Sequence, residues 1–290
     1  MLYNVPQPPS SGINYISENA MTMSNKGIEF TLGVNIPMPE DFKLGFTFTG
    51  THYRSKVSDI PEEKRKDGIT RGNFNIREGK SVYDYYMYEF AGLDENGKQL
   101  YYKDVKDENG NITGRETIND YSNATKYYVG TAIPDFMGGI QMDFGWKGID
   151  FSMGMNYQIG GKVMDSSYQN LMGTQAGFNS HKDILNSWTP ENKNTTVPFL
   201  TQDQNINTTS SRWLTSANYF NLRNITLGYT FPSEWVRKAG IENLRIYVTA
   251  DNVALFSKRK GLDPRQYISG SQSFSYSQMR TVAAGVQISF

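Results

Sequence analysis

Seven stretches of the chain alternate large apolar residues with small or polar ones at a period of two, which predicts strands with two chemically different faces. They cover residues 27–36, 41–51, 137–147, 149–160, 218–231, 244–256 and 279–290. The clearest pair flanks Lys147-Gly148, where a tight hairpin turn is expected. Ile140, Met142, Phe144 and Trp146 fall on one face of the first strand, and Ile149, Phe151, Met153, Met155, Tyr157 and Ile159 on one face of the second. The opposite faces, from Gln141, Asp143 and Gly145 to Asp150, Ser152, Gly154, Asn156 and Gln158, carry no large hydrophobe. A similar hairpin is predicted around Pro37-Met38-Pro39-Glu40. There Ile28, Phe30, Leu32, Val34 and Ile36 meet Phe42, Leu44, Phe46 and Phe48. In the last stretch Val282, Ala284, Val286, Ile288 and Phe290 share a face, and the chain stops on that aromatic.

The segments between these strands alternate short with long. Residues 1–26 read as a polar, Pro/Ser-rich loop, and 52–136 as charged, Gly/Asn-rich and poorly periodic. Within the latter, Pro61 to Asp67 is a solvated charge run. Asp94-Glu95-Asn96-Gly97 and Asp107-Glu108-Asn109-Gly110 are turn tetrads, with one short strand expected near Tyr101 to Asp104. Residues 161–217 are a further long break, and 232–243 read as a short surface turn of helix. Alternating direction allows zero or two further sheet strands within 52–136, so seven or nine in all.

Two architectures can use such strands. A soluble sandwich buries the apolar face, whereas a membrane barrel turns it outward and lines its lumen with the polar one. The eight steps from Ile149 to Tyr157, at about 3.3 Å each and a tilt of about 40°, cover roughly 20 Å, close to the apolar band of about 25 Å in an outer membrane. Trp146 and Tyr157 are then expected near opposite rims, with Tyr229 and Phe231 beside Trp146. Short turns mark the inner side and long loops the outer.

Composition narrows the choice without settling it. The hydrophobic share is 38% and the mean hydropathy −0.56; no run approaches the roughly 18 apolar residues of a spanning helix, which excludes spanning helices but not a barrel, whose two faces average out. Aromatics make up 13%, with 19 tyrosines, as interfacial girdles require. The net charge of +0 gives no reason to expect a nucleic-acid partner. Absence of cysteine removes disulfides, thiolate metal sites and thiol catalysis.

Several motifs add a resemblance. Tyr219-Phe220-Asn221-Leu222-Arg223-Asn224-Ile225-Thr226-Leu227-Gly228-Tyr229-Thr230-Phe231-Pro232 comes first, then Leu244-Arg245-Ile246-Tyr247-Val248, Asn252 and Gly261-Leu262-Asp263-Pro264. With Asn25-Lys26-Gly27-Ile28-Glu29 and Trp188-Thr189-Pro190-Glu191-Asn192, this resembles the C-terminal barrel of the SusC/RagA family of TonB-dependent outer-membrane transporters. The resemblance implies an all-β fold: an antiparallel transmembrane β-barrel segment of seven to nine strands from a larger barrel, with long extracellular loops. It implies import of glycans or peptides powered by TonB, a SusD-like lipoprotein as lid, and contact with outer-membrane lipid. Gly285, Ile288 and Phe290 resemble the outer-membrane assembly signal, although Ala283 stands where a polar residue is usual. No signal peptide or plug domain is recognised, and an odd strand count does not suit a single-chain bacterial barrel. A fragment lacking its upstream parts, not competent alone, is therefore expected. The alternatives are a small self-contained membrane barrel or adhesin, and a soluble β-sandwich carbohydrate-binding module.

Candidate chemistry is sparse. Asp107, Asn109, Gly110 and Glu116 match parts of a calcium loop, but Val105 takes the first position where a carboxylate is required, so a plain turn is expected. His52 and His181 have no partner at metal-ligand spacing, and neither a catalytic group nor a cofactor is expected. Tyr168, Phe178, Trp188 and Trp213 are rings suited to stacking on a sugar or peptide in an outer loop. The competing role is to fold that loop on itself.

Overall fold

The structure is a computed structural model that describes residues 3–39, 41–174, 177–201, 204–266, 270–272 and 274–290. Its largest sheet has seven strands that lie side by side in chain order. They are β1 (Thr22–Ile36), β2 (Phe42–Asp59), β3 (Phe136–Trp146), β4 (Ile149–Ile159), β5 (Tyr219–Thr230), β6 (Asn243–Ser257) and β7 (Thr281–Ser289). Each pairs antiparallel with its neighbours, and β1 and β7 are the two edges.

Register decides what each face carries. One row across the sheet reads Val34, Phe46, Met142, Met153, Ile225, Ala250, Val282. The adjacent row, one residue along each strand, reads Gly33, Thr47, Gln141, Gly154, Asn224, Asp251, Thr281. Because a strand turns each successive side chain to the other face, the large apolar side chains lie mainly on one side of the sheet and the small or polar ones mainly on the other, with Tyr247 an exception on the polar side. A bulge at Arg223 on β5 and another at Asn252-Val253 on β6 each add residues without reversing the pattern beyond them. Asn252 takes a left-handed φ of 50°, which a short amide side chain tolerates.

Among the described residues, no second layer covers the bulky side. Ile28, Phe30, Leu32, Leu227, Val248, Phe256, Val282 and Val286 are all exposed. The buried clusters lie elsewhere. Tyr85, Met87, Met164, Met172, Val197 and Trp213 form the largest, and all come from the long connections between sheet strands.

The turn between β3 and β4 is the two-residue Lys147-Gly148 turn, with φ of 45° and 84° at the two positions. Both values are positive, as the twist of a two-residue hairpin demands. A Cβ on Gly148 would also run into the carbonyl oxygen of Thr230. Gly148→Ala should therefore cost at least about 1–2 kcal/mol, while Lys147→Asn should leave stability unchanged or raise it. The urea midpoint of the folded species checks this; equal midpoints for Gly148→Ala and the parent would contradict it.

Two segments read as loops are more structured than the alternation suggested. Residues 3–18 hold a hairpin of Tyr3–Pro6 and Tyr15–Glu18. Beyond 52, β2 continues to Asp59, and six strands follow before Phe136: Ile69–Arg71, Phe74–Ile76, Asp84–Tyr88, Phe90–Leu93, Gln99–Lys106 and Lys126–Thr131, with Ile112–Ile118 as a seventh. They form separate sheets of four and three strands and add none to the large sheet. Short strands folded into a mixed body have no single polar side, so period two fails as a signal there. Of the first turn, Glu40 lies outside the described residues.

Candidate functional site

The three long connections all leave the same end of the sheet and pack into one body. Tyr85, from the first, is fully buried and its hydroxyl donates to the carbonyl of Lys162 at 3.1 Å and to that of Gly270, in the second and third. Leu262 of the third packs with Val163 and Ala217 of the second. Strand Lys162–Asp165 pairs with Leu214–Ser216 and with Ser271–Gln272.

Two motifs picked out in the sequence act as clamps in this body. Asp263 is buried and takes a bidentate ion pair from Arg265, with Nε to Oδ1 at 2.8 Å and Nη2 to Oδ2 at 2.6 Å. Arg265 Nη1 also donates to Asn252 Oδ1 at 3.0 Å, which ties the third connection to the bulge on β6. Asn192 turns back on its own loop, its backbone N–H donating to Thr189 Oγ1 at 3.1 Å and its side-chain amide to the carbonyls of Asn186 and Ser187, both at 3.2 Å. Trp188 then lies against Gly97, where a Cβ would strike its ring, and this joins the second connection to the first.

The four candidate ligand rings are placed differently from one another. Trp213 is 1% exposed, and its indole nitrogen donates to the carbonyl of Thr208 at 2.9 Å. Tyr168 makes edge contacts with Trp213 and His181 and lies under the Arg259 guanidinium, which pairs with the buried Asp165 at 3.3 Å. Trp188 is half-buried, and only Phe178, 71% exposed, stands free in solvent. In this structure Trp213, Tyr168 and Trp188 hold the loops together, the competing role weighed for them above.

Burial also sets protonation in the body. It pushes the Tyr101 phenol up to about 12, against the pull of the Arg212 cation, and pushes Tyr85 up further. It pulls Arg212 down to about 10, against support from the Tyr168 and Tyr101 phenols, while its guanidinium lies over Trp213 at 4.5 Å and donates to Gln99 Oε1 at 3.2 Å. A phenol raised above its unfolded value of about 10 stabilises the fold fully below that pH and loses this as pH climbs toward the folded value. Arg212 works in the opposite sense, since its discharge above about 10 relieves a buried charge. With two phenols against one cation, the body should open between pH about 10 and 12. Tyr101→Phe should move that transition upward, read from tryptophan fluorescence; an unmoved transition would refute the account.

The polar side of the sheet carries one charged bridge. Arg245 on β6 donates Nε to Asp150 Oδ1 at 2.9 Å and Nη2 to Oδ2 at 2.5 Å, reaching across β5 over Gly228. Any side chain at 228 would occupy that path. Gly285 sits on the same side under the Tyr247 ring, whereas Ile288 and Phe290 belong to the bulky side. In the linear sequence Arg245 and Gly228 are only motif letters; Arg245 pairs with Thr230 and reaches diagonally over Gly228, a relation that only the strand register supplies.

Aromatic rings gather at both ends of the bulky side. Phe30, Phe136 and Tyr157 lie in file at 6.3 and 5.9 Å, with Phe220 and Phe256 at 6.3 Å, all toward the long connections. At the short-turn end Phe42 meets Phe144, and Tyr229 meets Phe231, both at 5.0 Å. Trp146 lies opposite Phe42 in the same end row. The ten steps from Phe136 to Trp146 correspond to about 25 Å along a barrel axis at a tilt of about 40°.

The candidate calcium loop is a self-capped turn. Asp107 Oδ1 accepts from the backbone of Asn109 at 3.0 Å and Asn111 at 2.8 Å, and its other oxygen takes the Asn111 amide. These bonds, the Asn111 side chain's first, hold the Asp107 carboxyl below its ordinary range. Among the described residues no three acidic or histidine groups converge on a metal position. His52 Nδ1 faces the Asp135 carbonyl at 2.5 Å, and His181 caps Asp183.

No protein-family model matches the chain. TonB-dependent receptor P3 of Formosa agariphila is 26% identical over 314 aligned residues, covering all of this chain and 31% of the receptor. TonB-dependent receptor SusC of Bacteroides thetaiotaomicron is 24% identical over all of this chain and 29% of its own length. Among solved structures, the RagAB peptide importer in its closed-closed state superposes with a TM-score of 0.84 at 26% identity, over 100% of this chain and 32% of that one. This chain is similar along its whole length to the SusC/RagA-type TonB-dependent receptors. It spans about a third of the relatives it matches. The likeness agrees with an all-β, mainly antiparallel fold, and among the described residues no second layer covers the bulky side of the large sheet.

Proposed function

We propose that the chain is the C-terminal barrel wall of an outer-membrane nutrient transporter of the SusC/RagA type, working within a longer polypeptide. The observation that carries this reading is the uncovered bulky side of seven consecutive strands, bounded by aromatic rows at both ends, with the largest buried core formed by the long connections. A soluble sandwich would need a second sheet over that side. In the proposed setting lipid takes its place, and the polar side, with Asp150, Arg245 and Gly228, faces the lumen.

The mechanism is passage and gating, without covalent chemistry. The outer body presents recognition surface, the polar wall lines the route, and TonB supplies energy through parts of the polypeptide outside this chain. A SusD-like surface lipoprotein covers the outer mouth, and the cargo is a peptide or a glycan. Relatives named as TonB-dependent receptors and a solved neighbour named as a peptide importer support this reading.

The test is fractionation of the parent polypeptide with heat-modifiable migration in detergent. Recovery in the outer membrane as a compact species that shifts on boiling is expected. A detergent-independent, water-soluble monomer would overturn the reading.

A further inference from the structure

The exterior column of β1 and β2 changes character abruptly above the aromatic row. From Leu32 and Phe48 through Phe30 and Gly50 to Ile28 and His52 it is apolar or aromatic. The next two pairs on the same side are Lys26 with Arg54 and Ser24 with Lys56. All three cations are exposed. None makes an ion pair with the described residues.

Height gives the cluster its meaning. Taking Phe42 as the inner rim, Arg54 lies twelve steps on, about 30 Å along the axis, and Lys56 about 35 Å. An apolar band of about 25 Å therefore ends just below them, and they stand at headgroup level. Next to them β2 has parted from β3, since their pairing stops at Thr51. The segments 79–84 and 131–135 wall off a recess of about 540 Å³ there, lined by Lys26, His52, Arg54, Lys56, Ser81 and Thr131. Two carboxylates also line it, Asp84, which accepts from the Ser81 backbone at 3.0 Å, and Asp135, and among the described residues neither forms an ion pair with the three cations. In a chain with net charge +0, three neighbouring cations without carboxylate partners are a local feature, not a basic surplus.

We propose that Lys26, Arg54 and Lys56 form a binding site on the barrel's outer wall for the phosphate of an anionic outer-leaflet lipid. Apolar side chains below take the acyl chains, the guanidinium of Arg54 chelates phosphate oxygens in its planar fork, and the two ammonium groups add point charges. This rests on the barrel reading given above, because the site has its ligand only if that side faces lipid.

The experiment compares the parent polypeptide with its K26Q/R54Q/K56Q variant, both extracted from outer membranes in mild detergent. Native mass spectrometry reads the phospholipid or phosphorylated glycolipid retained, and heat-modifiable migration reads the barrel. The expected result is retention of a phosphate-bearing lipid by the parent and an at least tenfold lower retained fraction in the variant, with migration unchanged. Re-addition of a lipid with its phosphate removed should not restore binding, whereas the phosphorylated lipid should bind the parent alone. Inorganic phosphate that competes equally well without lipid would mark a bare anion site and overturn the assignment. Equal lipid retention by both proteins, with both barrels intact, would overturn this inference alone. A parent chain outside the membrane would overturn it together with the barrel reading.

Discussion

Arginine at Ile225 should cost the folded chain about 2–4 kcal/mol, a fall of roughly 30-fold to 10³-fold in the folded population, whereas arginine at the adjacent Thr226 should cost little. Ile225 stands in the middle of the sheet, in the row of Val34, Phe46, Met142, Met153, Ala250 and Val282. If that row faces hydrocarbon, a guanidinium there lies at the greatest depth and has no water to reach. Thr226 is the next residue along the strand and points to the opposite side, where its hydroxyl meets that of Thr249 at 3.0 Å. A cation placed there meets the polar side of the sheet. The measurement is the folded fraction of each variant refolded into phospholipid bilayers, scored by heat-modifiable migration. Reversed sensitivities, with Thr226→Arg the more damaging, would place the protein's core on the polar side and remove the transporter reading.

The sequence made the sheet legible because one physical rule governs all of it. Each strand has one wet and one greasy side, so Phe42 to Phe48, Ile140 to Trp146 and Ile149 to Ile159 announce themselves by alternation alone. The Lys147-Gly148 turn was legible for a related reason, since two residues between alternating runs leave few backbone solutions. The outer body obeys no such rule. Tyr85 and Met87 point into a core, yet the residues between and around them are also large, and the partners that bury them lie as far away as Trp213. Contacts across three separate connections have no local signature. The same limit hid the three neighbouring cations. Lys26, Arg54 and Lys56 are ordinary surface residues in a linear reading and become neighbours only through the β1–β2 register. It also left Trp213 open as a ligand ring, because an aromatic in a polar loop looks alike whether it faces solvent or core.

Trp213→Ala should be the most damaging single change in the outer body, at about 3–5 kcal/mol. The ring is 1% exposed in the cluster with Tyr85, Met87, Met164, Met172 and Val197, and its removal leaves a cavity, unseats the Arg212 guanidinium and frees the carbonyl of Thr208. The loss should stay local, because none of the seven sheet strands contributes to that cluster. Limited proteolysis should therefore cut the variant within 162–216 far faster than the parent while heat-modifiable migration stays the same. Phe178→Ala, at a ring 71% exposed in the same connection, is the matched control and should leave cleavage unchanged. The two roles open to Trp213 give opposite readouts. A ring that served only to stack on cargo would weaken uptake on removal without altering cleavage, whereas a ring that holds two connections together alters cleavage with no cargo present. Protease resistance equal to that of the parent would refute the packing role, and the outer body would then need another keystone.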